Sequence, residues 1–286
     1  MVAENQIQTA LENIYISPLE KCNLNCRLCY TKKTKNILSN RQILSFLNRY
    51  RGTVNLKSIL FCGGEVFSLP SFTDLVNQLS QQNIFITVIT NGTIDRLLEI
   101  KSPENCQILI SLDGPKEIHD QNRGQGNFQK SLDFINRALS LGFPVEVMFL
   151  VTPKSYRYTH CLSLPVKINY LTQKTGFFDP RLKEPGLTFE QIINLKKNYS
   201  TIPAKDFGCF QLSLQSDGLI YSCCESPTPI AKISDSVEKI IKNFKKTLTI
   251  CQKCGQCQGC GKPEFLCGYI KELGQDRCQQ VVKLFK

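Results

Sequence analysis

Apolar residues in this chain alternate between two spacings. Compact apolar runs at Ile14–Leu19, Ser58–Phe61, Ile84–Ile89, Cys106–Leu112 and Val145–Val151 predict strands. Between them the apolar positions step at helical intervals. Ile43, Phe46, Leu47 and Tyr50 recur at i, i+3, i+4 and i+7, in a helix opened by Ser39 with Gln42 three residues on, the pattern of a capping box. Phe72, Leu75, Val76 and Leu79 repeat that stripe. Phe128, Leu132, Ile135 and Leu139 form a third, closed at Gly142 and barred from continuing by Pro144. The pattern also predicts a short helix at Ile94–Leu98 and, farther on, a helix near Leu162, a strand at Lys167–Tyr170 and a helix at Thr188–Lys197. Strand and helix in alternation with short links predict βαβ units, hence an α/β fold around a parallel sheet.

The polar motifs fall at the ends of these strands. KCNLNCRLCY, with Cys22, Cys26 and Cys29, follows the first; Gly63-Gly64-Glu65 follows the second. Asn91-Gly92 follows the third, and Ser111-Leu112-Asp113-Gly114 closes the fourth. In a (β/α) barrel that rim collects catalytic and cofactor groups. Each motif alone reads as turn chemistry, since Gly-Gly and Asn-Gly are ordinary turns; four in succession predict a site. Three thiols within eight residues can converge on a metal centre and leave one coordination position open. A reactive site keeps such a position, whereas a closed structural zinc site takes four protein ligands.

Composition narrows the class. A length of 286 residues with 42% hydrophobic and 21% charged residues suits one large α/β unit with an appendage and excludes wholesale disorder. No run approaches the roughly 18 apolar residues of a membrane span, and Met1–Asn13 is polar, so a cytoplasmic protein with no membrane association is expected. In that compartment 15 cysteines point to metal or redox use rather than to disulfides. The formal charge of +11 admits a nucleic-acid partner without favouring one. Thiolates on iron would offset part of it, and Lys and Arg are spread out, apart from clusters at Lys32–Lys35 and Lys239–Lys246.

Taken together, these residues resemble the radical S-adenosylmethionine (SAM) enzymes, over roughly residues 14–151 and on towards residue 198. The resemblance implies a partial (β/α)6 TIM-type barrel over residues 14–200, behind a lead-in of residues 1–13. It implies that Cys22, Cys26 and Cys29 hold a [4Fe–4S] cluster whose remaining iron takes the amino and carboxylate groups of SAM. Gly63, Gly64 and Glu65 match the motif for the SAM ammonium, where glycines allow close backbone approach and a carboxylate can pair with a cation. Asn91 joins these SAM contacts, and Ser111 and Asp113 match residues near the ribose. His119 and Arg123, in HDQNRG, match a segment of the peptide-modifying members in which the Arg approaches the SAM carboxylate. The implied activity is reductive cleavage of SAM to a 5′-deoxyadenosyl radical that abstracts hydrogen from a substrate, with flavodoxin or ferredoxin as electron donor. Leu28 stands where many members have an aromatic residue and Val66 where Pro is common; both bear on packing rather than ligation.

From Lys205 the composition changes. Cys209 precedes an alternating segment, FQLSLQSDGLIYS, and then Cys223-Cys224. The alternation about Asp217-Gly218 predicts a β-hairpin that brings Cys209 and Cys223 near each other. An amphipathic helix with Val237, Ile240, Ile241, Phe244 and Leu248 on one face leads to Cys251, Cys254, Cys257 and Cys260, then Cys267 and Cys278. Pairs of C-x2-C can hold zinc or iron–sulfur. The block resembles the SPASM or twitch extension of radical SAM enzymes. That implies a small Cys-rich auxiliary domain over residues 201–286 with one or two auxiliary [4Fe–4S] clusters, these eight cysteines as ligands and Cys224 able to replace one. Cys62, Cys106 and Cys161 read as ordinary buried thiols, and His160 receives no role. In sulfatase-maturing members an Asp base follows the second hairpin cysteine. Cys224 stands there, which disfavours formylglycine formation unless Asp217 or Glu225 serves instead.

The resemblance implies a peptide or protein substrate. A small molecule or tRNA is the alternative within the same chemistry, and a non-catalytic iron–sulfur or zinc module is the alternative outside it. With so few residues ahead of the first strand, peptide recognition is expected to rest on the tail or on a separate protein.

Overall fold

The computed structural model describes residues 4–29, 31, 33–160, 162–172, 187–199, 201–202, 211–224, 226 and 228–254. Helix α1 (Glu4–Glu12) leads into β1 (Asn13–Ile16). The chain continues through α2 (Asn40–Arg51), β2 (Ser58–Phe61), α3 (Phe72–Ser80), β3 (Phe85–Thr90), β4 (Cys106–Ser111), α4 (Lys116–Arg123), α5 (Asn127–Ser140) and β5 (Val145–Val151). It ends with β6 (Lys167–Thr172), α6 (Phe189–Asn198), β7 (Thr201–Ile202), β8 (Ser213–Leu214), β9 (Leu219–Tyr221), β10 (Ala231–Lys232) and α7 (Val237–Cys254).

The ten strands of the described residues form one sheet in the order β10-β9-β8-β1-β2-β3-β4-β5-β6-β7. From β1 to β7 neighbours pair in sequence and in parallel. The result is the expected α/β fold of the partial (β/α) barrel type. Alternate residues of the central strands are shut away entirely, among them Ile59 and Phe61, Ile86 and Val88, Ile108 and Ile110, and Val147 and Phe149. Helix α2 lays Ile43, Phe46, Leu47 and Tyr50 on this core, and α3 adds Phe72, Leu75, Val76 and Leu79. The capping box is present, with the Ser39 side chain accepting from the Gln42 amide and the Gln42 side chain from that of Ser39.

The sheet continues past the core strands on the other side of β1. Strand β8 pairs with it in parallel, Tyr15 against Ser213 and Ile16 against Leu214, and β9 turns back against β8 through Asp217-Gly218. Gly218 takes φ +78°, the left-handed value such a turn needs. The predicted hairpin therefore exists and closes over the edge from which the cysteine loop departs.

Three predictions change. Helix α5 buries Ser131, Phe134, Ile135 and Ala138; of the predicted stripe Ile135 is buried, Phe128 and Leu132 pack half-buried against the core, and Leu139 is 37% exposed. The cause is close approach: the Ser131 Cα would lie 3.4 Å from a Cβ on Gly92, and the Ser131 Oγ donates to the Asn91 carbonyl at 2.9 Å. Small residues face the sheet and push the apolar stripe sideways. The predicted short helices at Ile94–Leu98 and near Leu162 are single 3₁₀ turns, at Leu97–Glu99 and Tyr156–Tyr158. Helix α4, KEIHDQNR, has Ile118 as its one aliphatic residue and so gives no periodic signal; it is built instead on buried His119, Asp120 and Asn122.

Candidate functional site

Because β1 to β4 are parallel, the loops leaving their C-terminal ends share one rim. The loop after β1 returns alongside the residues after β2. Cys62 N donates to Ile16 O at 3.1 Å, Gly64 N to Leu19 O at 2.9 Å and Glu65 N to Lys21 O at 3.0 Å. Here the glycines find their reason. A Cβ on Gly63, at φ +139°, would stand 2.1 Å from Leu19 O, and one on Gly64 would stand 1.9 Å from Lys21 O. The close approach they permit is to the cysteine loop's own main chain, one residue before Cys22.

Cys22, Cys26 and Cys29 are half-buried and free. Leu24 N donates to Cys22 Sγ at 3.4 Å, Cys29 N to Cys26 O at 3.2 Å, and Arg27 N to Asn122 O at 2.7 Å, which ties the loop to α4. The Lys33 ammonium braces the loop from outside through Leu24 O and Asn25 Oδ1. Burial raises the Cys22 and Cys26 thiols above their ordinary value, and the Arg123 charge pulls Cys26 back down. Among the described residues no three His, Cys, Asp or Glu side chains gather on a single ion. A cubane asks for less, since each thiolate meets its own iron.

Glu65 is fully buried. Its Oε1 accepts from Phe67 N at 3.1 Å and Thr90 Oγ1 at 2.9 Å, and its Oε2 accepts from Asn91 N at 2.8 Å. Burial pushes its pKa up, against the pull of these donors. The carboxylate thus locks the end of β2 to the end of β3. Ser111 sits half-buried at the last position of β4. Two residues on, Asp113 is buried and clamped by Arg123, Nε to Oδ2 at 2.7 Å and Nη2 to Oδ1 at 2.9 Å. Burial works against the Arg123 charge, but the Asp113 carboxylate more than offsets it and holds the guanidinium above its ordinary pKa, helped by Cys26 and Cys29.

His119 Nδ1 accepts from Asp113 N at 3.2 Å, so its proton is on Nε2, a buried atom without a partner among the described residues. Burial pushes His119 down to about 4. An unfolded histidine takes its proton near pH 6.5. The contribution of the neutral ring is therefore complete above about pH 6.5 and drains away as pH falls towards 4, by about 3 kcal/mol in total. We expect the urea midpoint of the wild type to fall more steeply from pH 7 to pH 5 than that of His119→Gln. Parallel slopes would refute this.

Asn23, Thr90, Thr93 and Asn122, all hydrogen-bonded around these motifs, are not among the predicted site residues; the polar spacing of CNLNC, TNGT and HDQNRG was the available signal. Cys106 is buried as expected, its thiol pushed up to about 12, whereas Cys62 is only half-buried as a residue. Cys223 and Cys224 follow β9, both half-buried. Cys251 and Cys254 lie in the last turn of α7, which runs farther than its apolar face predicts. Cys161, Cys209, Glu225, Cys257, Cys260, Cys267 and Cys278 lie outside the described residues. No helix of the described residues is long and apolar enough to cross a membrane.

A family model described as the radical SAM superfamily matches residues 16–156, the span holding every rim motif above. The chain carries a radical SAM domain. Domains of this superfamily work with a [4Fe–4S] cluster and SAM. The residues fit them: three half-buried thiols on a pinned loop, a half-buried guanidinium whose charge reaches Cys26 and Cys29, and a buried His119 N–H without a partner among the described residues. The chain is 28% identical over 159 residues to a serine-type anaerobic sulfatase-maturating enzyme of Bacteroides thetaiotaomicron, covering 48% of this chain and 38% of that protein. It is 27% identical over 184 residues to the subtilosin biosynthesis protein AlbA of Bacillus subtilis, covering 58% of this chain and 40% of that one. The chain thus spans well under half the length of these relatives. Among solved structures, anSMEcpe with bound AdoMet and a peptide superposes with a TM-score of 0.70 at 18% identity, over 95% of this chain and 97% of that one. Streptococcus suis SuiB bound to its precursor peptide SuiA gives 0.67 at 14% identity, over 85% and 67%. At these identities the superpositions establish the fold.

Proposed function

We propose that this protein is a radical SAM enzyme that modifies a peptide or protein. The observation that carries the reading is the convergence, on one rim, of the pinned cysteine loop, the Gly63-Gly64-Glu65 link and the Asp113–Arg123 pair. When bound, the cluster and SAM supply a 5′-deoxyadenosyl radical that takes a hydrogen atom from substrate. Cys22, Cys26 and Cys29 would hold the cluster. Since the Glu65 carboxylate spends its bonds on Phe67, Thr90 and Asn91, binding of the SAM ammonium at this motif falls to the main chain of Gly63 and Gly64. Arg123, presented by Asp113, would meet the SAM carboxylate, and Ser111 would lie towards the ribose. Cys209, Cys223, Cys251, Cys254, Cys257, Cys260, Cys267 and Cys278 would hold one or two auxiliary clusters. The hairpin's place on the free edge of β1 supports a position for that block beside the cysteine loop. The peptide substrate is supported by relatives and structural neighbours whose names carry maturation and peptide complexes.

Protein reconstituted without oxygen should release 5′-deoxyadenosine from SAM under strong reductant, and Cys26→Ala should release none. Release that rises with added peptide, and not with tRNA or small molecules, supports the substrate class. Wild-type protein that holds zinc without iron and leaves SAM intact would overturn the enzyme reading.

A further inference from the structure

Building on that reading of the cysteine loop, we infer that Asn91 sets the reduction potential of the cluster held by Cys22, Cys26 and Cys29, by donating a hydrogen bond to Cys22 rather than by touching SAM. A side-chain amide has two N–H donors and an oxygen with two lone pairs. At Asn91 all four are used. Oδ1 accepts from Thr93 N at 2.9 Å and from Thr93 Oγ1 at 2.6 Å. Nδ2 faces Asn23 Oδ1 at 2.9 Å and Cys22 Sγ at 3.7 Å. The orientation is settled by chemistry, because Thr93 N can only donate, so the oxygen must face Thr93 and the NH₂ must face Cys22. Asn23 Nδ2 donates in turn to Thr93 Oγ1 at 2.8 Å, which closes a ring of three side chains beside the sulfur. The main chain is equally committed, with Asn91 N on Glu65 Oε2 at 2.8 Å and Ser131 Oγ on Asn91 O at 2.9 Å. Asn91 is only 6% exposed. Nothing remains on this amide to offer a cofactor, and one of its hydrogens points at a ligating sulfur.

Hydrogen bonds to cluster sulfurs are among the determinants of iron–sulfur potentials. The reduced cluster carries one more electron, and an N–H donor stabilises the sulfur that shares it. Removing the donor makes reduction harder and moves the potential to a more negative value. Placing a carboxylate there adds like-charge repulsion and moves it further.

The test uses full-length protein loaded with its clusters without oxygen, as wild type, Asn91→Ser and Asn91→Asp. Midpoint potentials are read by EPR-monitored titration of the cluster whose signal SAM perturbs, beside iron and sulfide content. Both variants should keep near wild-type iron. Asn91→Ser should be on the order of tenfold harder to reduce, about 59 mV for one electron, and Asn91→Asp harder still. SAM affinity of Asn91→Ser should match wild type. Unchanged potentials in both variants would overturn the inference, and lost SAM binding at unchanged potential would return Asn91 to the cofactor contacts. Loss of the cluster from both variants would show a clamp for the loop in place of a tuning contact, and would overturn it too. Wild-type protein without any iron–sulfur cluster would remove the radical SAM reading itself, a distinct failure that takes this inference with it.

Discussion

Gly64→Ala is expected to strip the protein of most of its loop-held iron while leaving the sheet intact. The added methyl would stand 1.9 Å from Lys21 O, 2.3 Å from Lys21 C and 2.7 Å from Glu20 O, all main-chain atoms that cannot rotate out of the way. Something must move, and the two sides of the contact are not equally firm. The Gly64 side is held by Glu65, whose buried carboxylate takes bonds from Phe67, Thr90 and Asn91. The other side is a loop that leans on Gly64 N and Glu65 N for its own register. The loop yields, both of those bonds break, and Cys22 is the next residue along. Overpacking of this kind costs about 3 kcal/mol at the upper end. The control is Gly126→Ala. Gly126 has φ +80° but nothing within 4 Å of its missing Cβ, so that variant carries backbone strain of about 1–2 kcal/mol without a clash. Iron content and denaturant midpoints of the two variants decide the matter. Equal iron in both would show that Gly64 does not set the loop.

What could be read before the structure was the part written in apolar periodicity. Ser58–Phe61 and Val145–Val151 are strands to the residue, and the faces of α2 and α3 are the ones their spacing gives. The rim positions of the four motifs followed from strand order alone. What escaped was structure held by polar groups. Helix α4 has too few apolar residues to show a period, and its hold comes from Arg27 N on Asn122 O, Gly126 N and Phe128 N on Asp120, and Asp113 N on His119. Helix α5 misleads for a related reason, since its buried face is centred on Ser131 and Ala138, which a search for large apolar side chains passes over.

The same limit applies to the roles of the motif residues. Gly63-Gly64 signals close backbone approach, and the approach is real, but nothing in the letters says that the approaching group is Leu19–Lys21. Glu65 signals a carboxylate for a cation, and its partners are the Phe67 amide two residues on and donors of Thr90 and Asn91 at the neighbouring strand end. The identity of the site was legible from spacing; the division of labour within it required the hydrogen bonds.

Arg123→Leu is expected to cost more stability than Asp113→Leu, and the double variant less than the sum of the two. Asp113 is 2% exposed at its side chain and Arg123 16%. Removing the guanidinium leaves a carboxylate buried without its counter-charge, within electrostatic reach of Cys26, and losses of about 3–5 kcal/mol attend such a step. Removing Asp113 leaves a cation that still has Cys26 and Cys29 within reach and is less deeply buried, so the deficit is smaller, and smaller again once the cluster is in place. The double variant leaves no unpaired charge, and pairs of this kind are often replaced by apolar groups at little net cost. Denaturant midpoints of the four proteins give the coupling, which should exceed about 1 kcal/mol in favour of the pair. Activity should behave differently. If Arg123 is what presents a positive charge to SAM, 5′-deoxyadenosine release stays low in the double variant although its stability returns. Recovery of both together would mean that the pair holds the rim in shape and takes no part in binding, whereas recovery of stability alone separates the two roles that one ion pair performs.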